Sequence, residues 1–170
     1  KPKAGESFGD LFPDVASQWH PTLNGNLTPV DFKYGSAKKM WWKCDKGPDH
    51  EWTSSANNIA VAGNRCPACA HQQLSVTNSL ETLYPLIANE WHPTKNGKLT
   101  PENIVSQSHK RIWWKCDEAS DHVWQATPNK RAGSGRGCPM CAGKIAVKSN
   151  CLATLNPKLG KEINFRVKID

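Results

Sequence analysis

The apolar residues of the first segment follow a helical period. Leu11, Val15 and Trp19 are spaced by four, as on one face of a helix. Pro13 lies within this stretch, and a proline is tolerated only in a first helical turn. We therefore predict a short helix that begins near Pro13 and ends at Trp19. Its apolar stripe should face the cysteine-containing segment that follows.

Alternation of apolar and charged residues between positions 39 and 44 predicts a β-strand. One face carries Met40, Trp42 and Cys44. The other face carries two cations around a tryptophan, namely Lys39, Trp41 and Lys43. A polar loop at 45–49 then leads to His50 and Trp52, so we predict a hairpin with both side chains on its inner face. We assign Trp42 and Trp52 to the core.

The whole pattern recurs 72 residues downstream with no insertion or deletion. The second helix is marked by Leu83, Pro85, Ile87 and Trp91. The second hairpin should turn inward Ile112, Trp114, Cys116, His122 and Trp124. It should turn outward Arg111, Trp113 and Lys115. The pattern restarts at Asn150 and stops before any strand, so we predict a terminus at 1–6, repeats at 7–74 and 75–146, and at 147–170 a capping helix or the start of a third repeat.

Each copy contains three cysteines and a histidine at a spacing typical of a tetrahedral metal site. The order is Cys-x₅-His, a gap of fifteen residues, then Cys-Pro-x-Cys, whose proline presets a tight turn. The predicted ligands are Cys44, His50, Cys66 and Cys69 in the first copy and Cys116, His122, Cys138 and Cys141 in the second. Because the protein fills all four positions, we predict two structural zinc ions rather than a catalytic ion with an open position.

Two alternatives to this ligand set follow from the same residues. His20 and His92 also recur and would be the fourth ligands in place of His50 and His122. We prefer His50 and His122 because they flank a hairpin loop and precede a core tryptophan. Disulfides are disfavoured because an odd number of cysteines per repeat cannot pair within it. Cys151 belongs to neither set, so we expect a free thiol there.

Composition agrees with a metal-stabilised protein that has an anionic partner. A repeat of this size buries too little apolar surface to be stable alone. The formal net charge is +7, and each filled site of three thiolates and one Zn²⁺ carries −1, so two sites leave +5. A basic protein favours an anionic partner such as nucleic acid.

The cysteines and the first residue of the chain lead to expectations about the cellular compartment of the protein. Reduced thiols imply an intracellular or organelle-interior setting. No apolar run reaches membrane-spanning length, and nothing at Lys1 resembles a signal peptide. The first residue is not Met, so we allow for a fragment from which a targeting segment is missing.

These motifs together resemble a known family, the Trp-rich tandem zinc-ribbon repeats, which are also described as treble-clef modules. The resemblance covers nearly all of residues 7–163. In the second copy it rests on Leu83, Pro85, Trp91-His92-Pro93, Asn96-Gly97, Leu99-Thr100-Pro101, Trp113-Trp114-Lys115-Cys116, His122-x-Trp124 and Gly137-Cys138-Pro139-x-Cys141. It implies a small α+β fold of two tandem zinc modules, each with a short helix, a β-hairpin and a Cys₃His site. Family members occur in arrays and beside nuclease-like domains, which implies a nucleic-acid setting.

Two surfaces are candidates for nucleic-acid contacts. The outward hairpin faces and their flanks supply Lys39, Trp41, Lys43, Lys110, Arg111, Trp113 and Lys115. A Gly/Ser loop at 133–135 is flanked by Lys130, Arg131 and Arg136, and the first copy has Arg65 before its ligand pair. Cations suit phosphates, and a tryptophan suits an unpaired base. The alternative is that Trp41 and Trp113 pack under the preceding helices beside Trp19 and Trp91.

We therefore expect a tandem module that positions DNA or RNA rather than a catalyst. No carboxylate pair, Gly-rich phosphate loop or Ser/His/Asp group recurs with the repeats. The alternative function is a docking subunit of a large intracellular complex such as a ribonucleoprotein, with the basic residues at its edge.

Overall fold

The computed structural model describes residues 1–63 and 65–167, which form two compact units divided between Ser79 and Leu80. The first unit contains helices α1 (Phe8–Leu11) and α2 (Pro13–Ala16), strands β1 (Lys39–Lys43) and β2 (Glu51–Ser55), and helix α3 (Ala56–Ala60). The second contains α4 (Leu80–Leu83), α5 (Pro85–Ala88), β3 (Ile112–Lys115), β4 (Val123–Ala126) and α6 (Pro128–Ala132), then α7 (Leu152–Leu155) and α8 (Pro157–Val167). The predicted α+β class is confirmed.

The predicted helix begins at its proline in each unit, and an additional one-turn helix precedes it. Ser7 begins α1 with a capping box: its hydroxyl accepts from the Asp10 amide at 3.1 Å, and the Asp10 carboxylate accepts from the Ser7 amide at 3.2 Å. Phe12 then leaves the helical region, with φ −133° and ψ 58°, because the ring of Pro13 disfavours helical geometry in the residue before it. The second helix ends at Ala16, before the predicted end.

This break changes which residues reach the core. Phe8 is fully buried, whereas Leu11 is 48% exposed. The second unit repeats the pattern, with Leu80 fully buried and Leu83 43% exposed. The prediction that Leu11 and Leu83 face the module is therefore wrong, because a period of four cannot be read through a proline that restarts the helix.

A buried tryptophan is the centre of each core. Trp42 is fully buried, and its indole N–H donates to the Ser54 carbonyl at 3.0 Å. The Trp19 ring meets it edge-on, with centroids 5.3 Å apart and planes at 83°. Edge-to-face pairs are the favoured aromatic geometry, and a bonded indole avoids the cost of a buried polar group. Trp114 and Trp91 repeat the pair at 5.5 Å and 81°.

The hairpins show the predicted alternation. Trp42 lies opposite Trp52 in the antiparallel pair β1–β2, and Trp114 lies opposite Trp124 in β3–β4. All four are at most 7% exposed, which confirms their core assignment. The intervening Trp41 points the other way and is 40% exposed.

An Asn-Gly turn holds the outer edge of each hairpin. The Asn24 amide donates to the Trp41 carbonyl and accepts from the Trp41 amide, both at 2.9 Å. Asn96 makes the same two bonds to Trp113, also at 2.9 Å. The glycine after each asparagine has a positive φ, near +58°, where a side chain would be strained. The turn therefore fixes the backbone that presents the outward tryptophan.

Replacing Asn24 by Asp is expected to destabilise the first module. The carboxylate keeps the acceptor, but it faces the Trp41 carbonyl without a proton to donate. Losing a buried hydrogen bond in this way costs about 1–3 kcal/mol. Urea unfolding of the zinc-loaded chain measures the change, and Asn26→Asp is the control with the same added charge at an exposed neighbour. Equal urea midpoints for the two variants would contradict the stabilising role of the Asn24 hydrogen bonds.

Candidate metal centres and nucleic-acid surface

The first predicted ligand set converges on one point. Nδ1 of His50 lies 3.6 Å from the Cys66 sulfur and 3.4 Å from the Cys69 sulfur. The Cys44 and Cys69 sulfurs are 3.7 Å apart. Cys44 directly follows β1, His50 directly precedes β2, and the other two come from a tight turn further along the chain.

These separations are those of a tetrahedral zinc site. Bonds of about 2.3 Å to sulfur and about 2.0–2.1 Å to nitrogen place tetrahedral sulfurs about 3.8 Å apart and sulfur and nitrogen about 3.6 Å apart. A disulfide between Cys44 and Cys69 would need about 2.05 Å instead of the observed 3.7 Å. The geometry therefore fits a metal and excludes the disulfide reading for this pair.

The second set has the same arrangement. Nδ1 of His122 lies 3.6 Å from the Cys138 sulfur and 3.3 Å from the Cys141 sulfur, and the Cys116 and Cys141 sulfurs are 3.6 Å apart. In each set the ligand atoms all lie within 4.8 Å of one another. The two Cys₃His groups are positioned to bind two structural zinc ions, as predicted.

The alternative ligands are engaged elsewhere. Nδ1 of His20 accepts from the amides of Thr22 and Leu23 at 3.3 and 3.1 Å. Nδ1 of His92 accepts from Thr94 and Lys95 in the same way, at 3.3 Å each. These histidines close turns after the helical segment and belong to neither metal group.

Hydroxyl groups orient the ligand histidines. Because Nδ1 faces the metal, Nε2 of His50 carries the proton and donates to Ser75 Oγ at 3.0 Å and Thr77 Oγ1 at 2.7 Å. Ser75 in turn donates to the Asp49 carboxylate at 2.7 Å. Such outer contacts fix the tautomer and the ring orientation of a zinc ligand. The hydrogen bond from the Ser75 hydroxyl is also the leading cause that lowers the pKa of Asp49, so this carboxylate stays ionised.

The second site has a simpler set of hydrogen bonds around its ligand histidine. Nε2 of His122 contacts the Ser149 hydroxyl at 3.1 Å, and the Ser149 amide donates to Asp121 at 2.9 Å. Hydrogen bonds from Ser149 lower the pKa of Asp121. Val147 stands where the first copy has Ser75, so among the described residues the second histidine has one hydroxyl partner instead of two.

An asparagine closes each zinc turn from the following segment. The Asn78 amide donates to the carbonyls of Ala68 and Gln73 at 2.8 Å and accepts from the Ser75 amide. Asn150 does the same in the second module, donating to Met140 and Ile145. The predicted boundary at residue 74 remains a prediction, but the contacts of residues 75–78 are with the first metal site.

The thiol cluster needs a cation. The pKa of the Cys69 thiol is raised to about 12, first by desolvation of the Cys69 sulfur and then by contacts with Cys44 and Cys66. Desolvation and the neighbouring Cys116 and Cys138 raise the pKa of Cys141 to about 12 as well. Three thiolates at these separations repel each other, so they deprotonate together only when a metal neutralises them.

Comparison with known families agrees with this geometry. Both halves of the chain match the family model described as a probable treble clef zinc finger domain, over residues 15–72 and 87–144. The chain belongs to this family. No curated protein matches it. The predicted resemblance and the tandem treble clef fold are confirmed.

The outward surfaces of the two treble clef modules differ in charge. In the first, Lys39 and Trp41 are exposed, but Lys43 lies 2.8 Å from the Glu51 carboxylate. In the second, Val123 replaces Glu51, and Lys115 has no carboxylate partner in the described part of the chain. Lys110 and Arg111 are exposed beside it. The second surface is therefore the more positive one.

The outward tryptophans are not covered in the way the alternative predicted. Trp19 packs on Trp42, which leaves Trp41 exposed, so that alternative is wrong for the first module. Trp113 is half-buried, and the Lys95 ammonium lies 4.6 Å above its ring. Such a cation–π contact holds the ring in place.

The prediction that Arg131 belongs to a solvated phosphate-binding loop is wrong. The segment is helix α6, and Arg131 is 3% exposed, with its guanidinium 2.9 Å from the Glu90 carboxylate. The same group lies 4.9 and 5.2 Å from the rings of Trp114 and Trp124. Ile59 occupies the equivalent position in the first module and is 1% exposed. The helix therefore turns this position inward, whereas Lys130 and Arg136 remain exposed, as does Arg65 in the first module.

No helix in residues 1–63 and 65–167 combines the length and the apolar character that crossing a membrane requires.

Proposed function

We propose that the two zinc modules present nucleic-acid-binding surfaces on the outer faces of their hairpins. One observation carries this proposal: a large aromatic side chain, Trp41, is 40% exposed between two lysines. Burying a tryptophan is strongly favourable, so an exposed one at the centre of a basic strand suits stacking with a base.

The zinc ions would act by making this surface rigid. Hairpin, helix and zinc turn are short, and none of them is stable alone in water. The Cys₃His site joins the two strands of the hairpin, at its loop, to the zinc turn, and the Asn24 or Asn96 side chain fixes the outer strand. A surface held in this way loses little conformational entropy on binding.

Docking onto a protein is the second candidate, favoured by a different observation. Leu11 and Leu83 occupy equivalent positions and are 48% and 43% exposed. Exposed leucines at a repeated position fit an apolar partner surface. Apolar docking depends little on salt, whereas phosphate binding weakens steeply as salt rises.

A salt titration tests the proposal. The zinc-loaded chain is titrated into labelled DNA and RNA oligonucleotides, and the slope of log K against log salt is measured. Converting Lys39, Arg111 and Lys115 to Ala removes one phosphate contact from the first module and two from the second. The slope for a single strand should therefore fall by about 0.7 at the first module and by about 1.4 at the second. The control converts Lys3, Lys98 and Lys158, three exposed lysines outside the hairpins. Equal slopes for the two variants would contradict the proposal.

A further inference from the structure

A groove lies in the second module between the hairpin and the zinc turn. Its volume is about 810 Å³, within the range of about 300–1,000 Å³ typical of ligand pockets. The lining includes the rings of Trp113 and Trp124 and the apolar side chains of Pro139 and Ile145. The groove therefore offers aromatic and aliphatic surface to a flat ligand.

Cations surround this groove, and no acidic residue lines it in the part of the chain that the structure describes. The exposed ones are Arg111, Lys130, Arg136 and Lys144. Arg131 also contributes to the lining, but Glu90 neutralises it. Four exposed positive charges around an apolar floor make a site for an anion that also has a hydrophobic or aromatic part.

The first module has a groove in the same place with a different character. It measures about 750 Å³ and is lined by the equivalent residues Trp41, Trp52 and Pro67. Its described lining includes one cation, Arg65, and one acid, Glu51. Gln72 stands where the second module has Lys144, and Asn58 where it has Lys130. The zinc centres carry the same charge, so this difference comes from the groove residues alone.

We propose that the second groove binds an unpaired stretch of nucleic acid more tightly than the first does. This inference rests on the proposed function and ranks its two sites. Phosphates contact Lys130, Arg136 and Lys144, and a base packs against Trp113. A duplex keeps its bases stacked and paired, so only a single strand brings a base face and its phosphates into one groove.

Exchanging residues between the modules tests the assignment. Lys130→Asn with Lys144→Gln gives the second groove the residues of the first. It should weaken binding of a labelled ten-nucleotide oligo(dT) or oligo(U) about tenfold at 0.15 M salt, since two phosphate contacts are lost. Glu51→Val with Gln72→Lys gives the first groove two residues of the second. At a strand concentration that fills only the second groove of the unmodified chain, this variant should raise the stoichiometry from one strand per chain towards two.

The controls separate this inference from the proposed function. Zinc content and circular dichroism establish that both exchange variants are folded. Unchanged affinity in the Lys130/Lys144 variant, with the hairpin variant still impaired, overturns the groove and leaves the proposed function standing. Absence of binding to any oligonucleotide overturns both. A ten-base-pair duplex that binds as tightly as the single strand overturns the assignment to unpaired nucleic acid.

Discussion

Removing zinc with a strong chelator is expected to unfold both modules. Structural zinc in small domains contributes about 10–16 kcal/mol, whereas whole domains are stable by only about 5–15 kcal/mol, so little stability remains without the ions. Each core is built on two fully or nearly fully buried tryptophans, Trp42 and Trp52 or Trp114 and Trp124, and these become hydrated on unfolding. A red shift of tryptophan emission and loss of far-ultraviolet circular dichroism measure the change, and added zinc should reverse both.

Single ligand variants make the same prediction module by module. His122→Ala should reduce the zinc content from two ions to one and unfold only the second module, because the first has its own ligands and core. The matched controls are His92→Ala, which removes the rejected ligand candidate, and Cys151→Ser, which removes the cysteine outside both sets. A chain that stays folded without metal, or a His92 variant that loses an ion, would contradict the assigned sites.

Zinc affinity is expected to fall steeply as the pH falls. In the unfolded chain, thiols have a pKa near 8.5 and are protonated at pH 7, but the bound form requires three thiolates. In the folded cluster, desolvation and the neighbouring thiols raise the pKa of Cys69 and Cys141 to about 12, so metal-free sites there are also protonated. Protons therefore compete with zinc in either state, and binding weakens about a thousandfold for each pH unit lost between about 8 and 6.5.

Competition with a colorimetric chelator at several pH values measures the slope. Zinc added to the metal-free chain in weak buffer at pH 7 should release about six protons, three for each site. Release of fewer than about two protons per ion would mean that fewer than three thiols bind the metal.

The parts of the fold that follow from local spacing could be predicted from the sequence. The spacings Cys-x₅-His and Cys-Pro-x-Cys predict the ligands because they place four donors within reach of one ion. The hairpin faces follow from the alternation of side chains in any strand. The helical segment is harder to predict. The spacing of Leu11 and Val15 crosses Pro13, where one helix ends and the next begins, so the two residues do not share a face.

Other features depend on tertiary contacts or on a comparison between the copies. The hydroxyl of Thr77 lies 27 positions from the histidine it orients, and no local pattern joins them. The recurrence of Asp49 as Asp121 and of Asn78 as Asn150 is the sequence signal that points to these outer contacts of the zinc sites. For the burial of Arg131, the sequence signal is the apolar Ile59 at the matching position. It indicates that this position of the helix faces the core in both modules.

The asparagine closure has a consequence for how such proteins lengthen. Ser7 recurs as Ser79, so a 72-residue period counted from Ser7 ends at Asn78, the residue that closes the zinc turn. Counted in this way, the copied unit and the folding unit coincide. A duplication of residues 7–78 adds a finished domain, whereas one that stops at Cys69 leaves the zinc turn without its closing asparagine.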